Sequence, residues 1–397
     1  MRIVVTGASG FVGERLTPLL QQSGAELLLV GRDPARLQQL FPGVASCAYE
    51  ALAVKGAGYD RLVHLAAMNN DVVADANAFD EVNVALLERT AQAAKAAGIS
   101  DFINISSIQA LDQSNLTPYA QSKRRGAARA AEIGGITIHT LFLASVYDDQ
   151  WSGKLRFLNH LPKSLARPLF SALQALKPTT HIQKIADSVI APGLSAGDAI
   201  LTDRQASNPV YRTVSRMIDL LFATVVLLAF WWLLLLIWIA IRWESPGPGI
   251  FSQRRVGRRA KPFTLFKFRT MRDGARNVPT HEAAQSEVTR IGAPLRRWKL
   301  DELPQIWNIL RNELSLVGPR PCLPTQSDVI QARDARGVLQ LKPGITGLAQ
   351  VNDIDMKDPL VLAEWDNNYA ALQCVSLDIR ILLATFGGRG SGDRIRR

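Results

Sequence analysis

Cysteine and histidine are scarce in this sequence, and neither residue type is spaced as a metal or disulfide site requires. The three cysteines, Cys47, Cys322 and Cys374, are scattered and form no CxxC pair. This spacing argues against a zinc site or a disulfide framework and favours a reducing compartment. The five histidines show no ligand spacing. The opening residues, MRIVVTGASG, also lack the long apolar run of a signal peptide.

Acidic residues are balanced by basic ones in the first half of the chain but are clearly outnumbered by them in the second half. Residues 1–209 contain 19 Lys and Arg against 18 Asp and Glu, whereas residues 210–397 contain 27 against 17. Such a basic half indicates a phosphate-bearing partner: a nucleotide, a nucleic acid or anionic lipid headgroups. The basic stretch directly follows an apolar one, and the sequence contains no nucleic-acid-binding motif. We therefore expect membrane lipids as partners and no nucleic acid.

A run of 22 residues, from Leu220 to Ile241, contains no charged side chain. Its length exceeds the roughly 18–20 residues that a helix needs to cross a bilayer, which predicts a membrane segment. The run divides the sequence into three predicted regions. These are an N-terminal Rossmann domain (1–205), a linker with the membrane helix (206–245) and a small, mainly α-helical catalytic domain (246–397).

The N-terminal region begins as an apolar strand, a glycine-rich turn and a helix, RIVVTGASGFVGERLTPLL. Further strands alternate with helical stretches, which predicts an α/β fold with a parallel, doubly wound sheet. The turn is suited to a dinucleotide pyrophosphate at a helix N-terminus. The predicted cofactor contacts in it are Gly7, Ser9, Gly10, Phe11 and Gly13. Arg32 follows the second strand, where a cation suits a 2′-phosphate, so NADP(H) is favoured and NAD stays open.

A second motif in this region combines Ser107 with Tyr119-x-x-x-Lys123. Residues four apart lie on one face of a helix, so the lysine charge is expected to lower the tyrosine pKa. A phenol of lowered pKa exchanges a proton with a carbonyl or an alcohol.

Residues 1–205 resemble the extended short-chain dehydrogenase/reductase family, specifically its nucleotide-sugar epimerases, dehydratases and 4-keto-reductases. The resemblance implies Ser107, Tyr119 and Lys123 as a catalytic trio, with Asn83 as a supporting residue near the cofactor. Two hypotheses stay open. The domain reduces a UDP-4-keto-sugar, or it binds a nucleotide without turnover and serves as a regulatory or dimerisation module.

In the C-terminal region, RRWKLDELPQIWNIL places Asp301 beside Glu302 among basic residues. One interpretation is structural, because an acidic residue ahead of Pro304 can cap the first turn of a helix. The other interpretation is catalytic, because phosphoryl chemistry needs a nucleophile and a metal ligand amid cations.

Four long strings, ESPGPGIFSQRRVGRRAKPFTLFKFRTMRDGA, TRIGAPLRRWKLDELPQIWNIL, RNELSLVGPRP and LKPGITGLAQVN, make residues 212–385 similar to the bacterial sugar transferase family. The resemblance implies transfer of a phospho-sugar from a UDP-sugar to undecaprenyl phosphate, with release of UMP. Asp301 would then be the nucleophile and Glu302 the Mg²⁺ ligand. The expected diphosphate contacts are Lys267, Arg269 and Arg320.

Members of that family usually break their membrane helix at a Ser-Pro pair, where this sequence has Trp231-Trp232. We nevertheless expect a re-entrant helix, with both domains on the cytoplasmic face of a bacterial inner membrane. A tilted helix in one leaflet is the alternative. Two further hypotheses concern the whole protein: that it is a non-enzymatic membrane scaffold, and that it forms a homodimer. The cations expected at the membrane surface are Arg254, Arg255, Arg258 and Arg259.

Overall fold

The computed structural model describes residues 1–151, 153–192, 198–272 and 287–390. The chain divides into two compact units, Met1–Ala166 with Pro178–Asp203, and Arg167–Lys177 with Arg204–Arg397. The predicted domain boundary at residue 205 lies beside one of these junctions. The short segment Arg167–Lys177 belongs to the second unit, although it precedes that boundary in the sequence.

The first unit is built on a seven-stranded sheet in which every pair is parallel. Its order is β3-β2-β1-β4-β5-β6-β9, the doubly wound order of a Rossmann fold, so the predicted fold class is confirmed. Two further strands, β7 and β8, pair with each other. The strands are β1 Arg2–Thr6, β2 Glu26–Val30, β3 Ala45–Cys47, β4 Arg61–His64, β5 Asp101–Ser107, β6 Thr137–Leu143, β7 Ser145–Tyr147, β8 Thr179–His181 and β9 Ala199–Leu201.

Helices cover both faces of this sheet, as the uninterrupted apolar strands predict. In β1, Ile3 and Val5 pack into one hydrophobic cluster and Val4 into another, because successive strand side chains point to opposite faces. The helices of this part of the chain are α1 Phe11–Gln22, α2 Pro34–Leu40, α3 Leu52–Lys55, α4 Ala76–Asp80, α5 Leu86–Ala96, α6 Pro118–Ala131, α7 Lys163–Leu176 and α8 Ile182–Ile190. The last turns of α7 lie in the second unit.

The second unit is mainly helical and contains two small two-stranded sheets. One pairs β10 with β11 in antiparallel fashion, and the other pairs β12 with β13 in parallel. Its strands are β10 Ile250–Val256, β11 Pro262–Phe268, β12 Ser315–Val317 and β13 Gly344–Thr346. Its helices are α9 Pro209–Ala229, α10 Trp231–Glu244, α11 Gly292–Arg297, α12 Ile306–Leu310, α13 Ser327–Asp334, α14 Leu348–Val351, α15 Pro359–Leu372 and α16 Val375–Phe386.

The apolar run predicted to enter the membrane is broken into two helices. Helix α9 ends at Ala229, α10 begins at Trp231, and their axes differ by 69°. Within the described ranges, no single helix is long and apolar enough to cross a bilayer, but these two qualify as a bent pair. The indole Nε1 of Trp232 donates a hydrogen bond to the Ala229 carbonyl at 2.9 Å. A tryptophan thus satisfies a carbonyl at the break, where the resembling family uses Ser-Pro.

A buried carboxylate joins three helices of the second unit. Asp378 lies in the first turn of α16 and accepts hydrogen bonds from the Tyr211 hydroxyl of α9 at 2.6 Å and the Tyr369 hydroxyl of α15 at 2.8 Å. Burial raises the pKa of Asp378 to about 7, and the two tyrosine hydrogen bonds oppose this rise only in part. The carboxylate therefore holds the start of the apolar helix pair against α15 and α16.

We expect the stability of the second unit to fall between about pH 4 and pH 7. An unfolded Asp titrates near pH 4, so the folded chain holds an extra proton on Asp378 in this interval. Stability linked to that proton is lost as the pH rises to the folded pKa, by at most about 4 kcal/mol for a shift of this size. Chemical unfolding of the full chain at pH 5 and pH 8 measures the slope of the free energy of unfolding against pH.

The Asp378→Asn variant should show a flatter dependence, because asparagine does not titrate. Exposed Asp334 provides the matched control, since Asp334→Asn should retain the wild-type slope. Equal slopes in wild type and Asp378→Asn would contradict the prediction.

Two candidate active sites

The adjacent acids of the second unit lie in a short 3₁₀ helix, Leu300–Gln305, that begins after a sharp turn. Lys299 makes this turn with φ at 56°, in the left-handed region. Asp301 and Glu302 are 9% and 8% exposed. Neither is the cap of α12, whose N-cap position is taken by Gln305. Neither acid therefore stands at an N-cap position, although both lie in the first turn of the 3₁₀ helix that continues into α12, and their near-complete burial needs a further explanation.

Two of the predicted phosphate-binding cations converge on the second acid. The Lys267 Nζ of β11 lies 2.8 Å from the Glu302 Oε1, and the Arg320 Nη1 lies 3.7 Å from the same oxygen. Arg320 stands in the loop between β12 and α13, so three segments distant in sequence meet here. Partial burial strengthens these attractions relative to exposed ion pairs. The cluster presents cations beside carboxylates, as a phosphate-transfer site requires.

The third predicted cation, Arg269, lies elsewhere. Its guanidinium donates hydrogen bonds to the Pro246 carbonyl at 2.5 Å, the Ser245 carbonyl at 2.8 Å and the Ser245 hydroxyl at 2.9 Å. These contacts fasten the turn that follows α10. The structure therefore brings Lys267 and Arg320 to Glu302 but uses Arg269 to hold the exit of the apolar helix pair.

Close backbone packing places the Arg320 loop. A Cβ added at Gly344 would lie 2.1 Å from the Gly318 nitrogen, and one at Gly347 would lie 2.3 Å from the Gly318 oxygen. Only glycine permits this approach between the end of β12 and β13. The two glycines of PGITG thus determine where the segment carrying Arg320 leaves the sheet.

Asn308 is a site residue that the sequence reasoning missed. It is fully buried in α12, and its Nδ2 donates to the Thr264 carbonyl at 2.7 Å and to Glu313 Oε2 at 2.8 Å. Its Oδ1 accepts from the Phe266 N–H at 3.3 Å. These bonds join α12 to the strand that carries Lys267. A polar residue inside the apolar helix sequence QIWNIL is the signal that could have identified it.

In the first unit, the glycine turn has the geometry of a dinucleotide cradle. Gly7 has φ at 71°, and a Cβ there would lie 2.5 Å from the Ala66 nitrogen. A Cβ at Gly13 would lie 2.4 Å from the Gly7 oxygen, so this glycine lets α1 pack against the turn. Gly10 is the N-cap of α1 and provides no side-chain cap, so the first N–H groups of the helix can donate to an anion. The other predicted cofactor contacts, which are all exposed at the surface, are Ser9, Phe11 and Arg32.

Asn83 supports this unit from a π-helical turn, Glu81–Ala85. Its side chain exchanges hydrogen bonds with the backbone of Met68, at 2.9 Å from the N–H and 3.2 Å to the carbonyl. Its Nδ2 also donates to Ser122 Oγ at 2.9 Å. Asn83 therefore ties the loop after β4 to the helix that carries Tyr119 and Lys123. The π-turn that aims it has no signal in the sequence.

The tyrosine and lysine of the predicted trio differ from the expected electrostatics. Burial raises the pKa of Tyr119, and a hydrogen bond with Ser107 opposes this rise. Lys123 Nζ instead donates to the Ile105 carbonyl at 3.2 Å, and burial lowers its pKa to about 8. The expected lowering of the Tyr119 pKa is therefore wrong: desolvation of the phenol raises the pKa, and the hydrogen bond with Ser107, not the Lys123 charge, is what opposes the rise.

Two family models match the chain, one within each structural unit. Residues 210–389 match the family model of bacterial sugar transferases, and residues 3–134 match that of the NAD dependent epimerase/dehydratase family. Among solved structures, DesIV, a dTDP-glucose 4,6-dehydratase from Streptomyces venezuelae, is 20% identical with a TM-score of 0.39. That match covers 51% of this chain and 75% of DesIV.

Curated relatives match part of the chain. Over 143 residues the chain is 42% identical to the UDP-glucose:undecaprenyl-phosphate glucose-1-phosphate transferase of Caulobacter vibrioides, covering 35% of this chain and 54% of the relative. The chain thus spans about half the length of that relative. Over 175 residues it is 35% identical to EpsL, an uncharacterized sugar transferase of Bacillus subtilis, covering 43% of this chain and 85% of EpsL. Through its second unit, the chain belongs to the bacterial sugar transferase family.

Proposed function

We propose that the second unit moves a phospho-sugar from a UDP-sugar to undecaprenyl phosphate and releases UMP. The observation that carries the proposal is the nearly buried Asp301–Glu302 pair, with Lys267 and Arg320 directed at Glu302. The matched relative from Caulobacter vibrioides is named for this type of reaction. A membrane scaffold without catalysis does not account for two carboxylates kept nearly buried among cations.

Asp301 is the proposed nucleophile. Its carboxylate oxygen attacks the phosphorus that carries the sugar, and the bond from that phosphorus to the UMP oxygen breaks. UMP leaves with the electron pair, and an aspartyl-phosphosugar remains. A phosphate oxygen of undecaprenyl phosphate then attacks the same phosphorus, which restores the carboxylate and forms the polyprenyl diphosphate sugar. Lys267 and Arg320 offset the negative charge on the phosphate oxygens.

The donor set at this site fits Mg²⁺. Carboxylate oxygens are the ligands that this cation prefers, and Glu302 would hold it beside Asp301. The ion would reduce the repulsion between the Asp301 carboxylate and a diphosphate. Lys267, whose ammonium lies 2.8 Å from Glu302, would also pair with a phosphate oxygen of the donor bound beside that carboxylate. Lys267, Arg320 and the metal would then all offset the negative charge of the substrate diphosphate.

For the first unit, the proposal is reduction of a UDP-4-keto-sugar with NADP(H). The glycine cradle would accept a pyrophosphate, and Arg32, which follows β2, would pair with a 2′-phosphate. The nicotinamide would supply the hydride. Tyr119 would donate its proton to the keto oxygen, with Ser107 hydrogen-bonded to the tyrosine. NAD serves the same chemistry if Arg32 does not contact the cofactor.

One observation favours the alternative, in which this unit binds a nucleotide without turnover. The ammonium of Lys123 is engaged by the Ile105 carbonyl, and Tyr119 has a raised pKa rather than a lowered one. A regulatory or dimerising module needs the cradle but not a reactive phenol. The two hypotheses differ in whether NADPH is consumed.

The bent helix pair is the proposed membrane anchor. It enters the cytoplasmic leaflet and returns, so that both units face the cytoplasm of a bacterial cell, where UDP-sugars and NADP(H) are found. Support comes from the large apolar side chains that the pair exposes. Single exposed apolar residues are common on soluble proteins, but so many on one helix pair indicate an interaction surface. They include Leu221, Leu228, Trp231, Leu236 and Trp243. The Trp232 indole satisfies the carbonyl at the break, which matters where no water is present.

The test is UMP release from a panel of UDP-sugars with undecaprenyl phosphate and Mg²⁺, with and without NADPH. We expect one donor to release UMP and its 4-keto precursor to do so only with NADPH. UMP release independent of NADPH with every donor supports the regulatory hypothesis for the first unit. No UMP from any donor, together with no sugar label on the protein, would overturn the transferase proposal.

A further inference from the structure

The loop that carries Arg320 is held by its carbonyl oxygens. Its sequence, GPRP, contains two prolines, which have no N–H to donate. Each carbonyl from residue 319 to residue 322 instead accepts a hydrogen bond from outside the loop. The donors, in that order, are the Gly344 N–H at 3.0 Å, the Arg333 guanidinium at 2.8 Å, the Arg255 guanidinium at 3.1 Å and the Val256 N–H at 2.9 Å.

The bond to Arg320 itself depends on a buried ion pair. Arg333 of α13 donates to the Arg320 carbonyl through Nη1, while its Nε lies 2.9 Å and its Nη2 2.7 Å from Asp366 Oδ2 of α15. Arg333 and Asp366 are 3% and 2% exposed. A guanidinium this deeply buried needs its carboxylate partner, because an unpaired charge there is strongly unfavourable. Asp366 therefore sets the orientation from which Arg333 holds the loop.

We propose that Arg333 and Asp366 are a positioning pair that keeps the Arg320 guanidinium directed at Glu302, where the donor diphosphate binds. This inference rests on the proposed transferase function. Neither residue touches the reacting atoms. The pair acts through one backbone carbonyl, and its loss lets Arg320 move away from the position in which it lies 3.7 Å from Glu302.

The principal test replaces both partners, Arg333→Met with Asp366→Leu. Apolar residues of similar size often replace a buried ion pair without loss of stability, but they cannot bond the Arg320 carbonyl. We expect kcat/KM for the UDP-sugar to fall on the order of 10²-fold, because a displaced phosphate contact is costly. Adding Arg320→Ala to this double variant should cause little further loss, since the same contact is already removed.

A second variant, Arg333→Lys, keeps a charge for Asp366 but lacks the planar fork that bonds two partners at once. It should reproduce the loss in kcat/KM with a raised KM for the UDP-sugar. The control is Tyr369→Phe on the same helix, which removes a buried hydrogen bond to Asp378 instead. It should lower the thermal unfolding midpoint without changing KM.

Wild-type KM and kcat/KM in folded Arg333→Lys or in the double variant would overturn the inference. The inference would also be overturned if the losses in kcat/KM caused by Arg320→Ala and by the double variant multiplied when combined. Multiplied losses would show that Arg320 and the buried pair act independently. A wild-type protein that releases no UMP from any donor would instead overturn the proposed function, and this inference with it.

Discussion

Replacing Asp301 with asparagine is expected to lower UMP release on the order of 10⁴-fold, as the loss of a catalytic nucleophile does. Asparagine has nearly the same size and keeps the 3₁₀ helix intact, but its amide does not attack phosphorus. The effect should appear in kcat, because binding of the UDP-sugar depends on Lys267 and Arg320 rather than on Asp301. The measurement is initial-rate UMP release at saturating UDP-sugar, undecaprenyl phosphate and Mg²⁺.

Labelled sugar separates the nucleophile from the metal ligand. Without undecaprenyl phosphate, wild-type protein should retain label after denaturation, and Asp301→Asn should retain none. Glu302→Gln keeps the nucleophile, so its residual UMP release should increase with added Mg²⁺, whereas that of Asp301→Asn should not. Exposed Asp334→Asn serves as the matched control with wild-type rates. Label on the Asp301→Asn protein would show that another residue is the nucleophile.

The sequence was sufficient for the parts of the fold that depend on local pattern. The apolar β1 strand, the Gly7 turn and the helix after it occur where the residues indicate, because strand burial and glycine conformation are properties of neighbouring positions. The sequence reasoning assigned Lys267 and Glu302 to one phosphate site, but it did not predict the direct contact between them. Local chemistry alone does not bring residues 35 positions apart together.

Contacts that depend on tertiary packing were not predictable in this way. Arg255 was expected at the membrane surface, but it is buried and its guanidinium bonds the Pro321 carbonyl. Arg269 follows the same strand as Lys267, yet it holds the turn after α10. Nothing in a basic run distinguishes a surface cation from one that folds back onto a carbonyl, because the acceptors are supplied by distant segments.

The break between α9 and α10 shows the same limit in another form. A proline would have identified the position, whereas Trp231-Trp232 is compatible with a continuous helix. The structure bends there by 69°, with the Trp232 indole bonding a carbonyl at the break. At this break a side-chain donor, and not a proline, accompanies the bend. Helix propensities describe single residues, so they cannot predict a bend that is accompanied by a side-chain bond to the backbone.

Replacing Tyr119 with phenylalanine is expected to lower oxidation of NADPH by a UDP-4-keto-sugar by about 10²- to 10⁴-fold, the usual contribution of a general acid. Tyr119 holds a proton at neutral pH and can donate it to a keto oxygen, although burial raises its pKa and so makes it a weaker acid than an exposed phenol. Phenylalanine retains the edge contact of the ring with Phe79, at 6.3 Å between centroids, so the fold should persist. The measurement is loss of NADPH absorbance in the full chain.

Tyr59→Phe is the matched control, because Tyr59 is also buried but precedes β4, at the amino end of the parallel sheet. Ligands of such sheets bind at the carboxyl end, so this variant should reduce the keto-sugar at the wild-type rate. UMP release from the already reduced UDP-sugar should be unchanged in both variants, since Asp301 alone supplies that nucleophile. If Tyr119→Phe leaves NADPH oxidation intact, Tyr119 is not the acid. If the wild type binds NADPH but does not oxidise it, the first unit is a regulatory module. The transferase would then use a UDP-sugar that a separate reductase has already reduced.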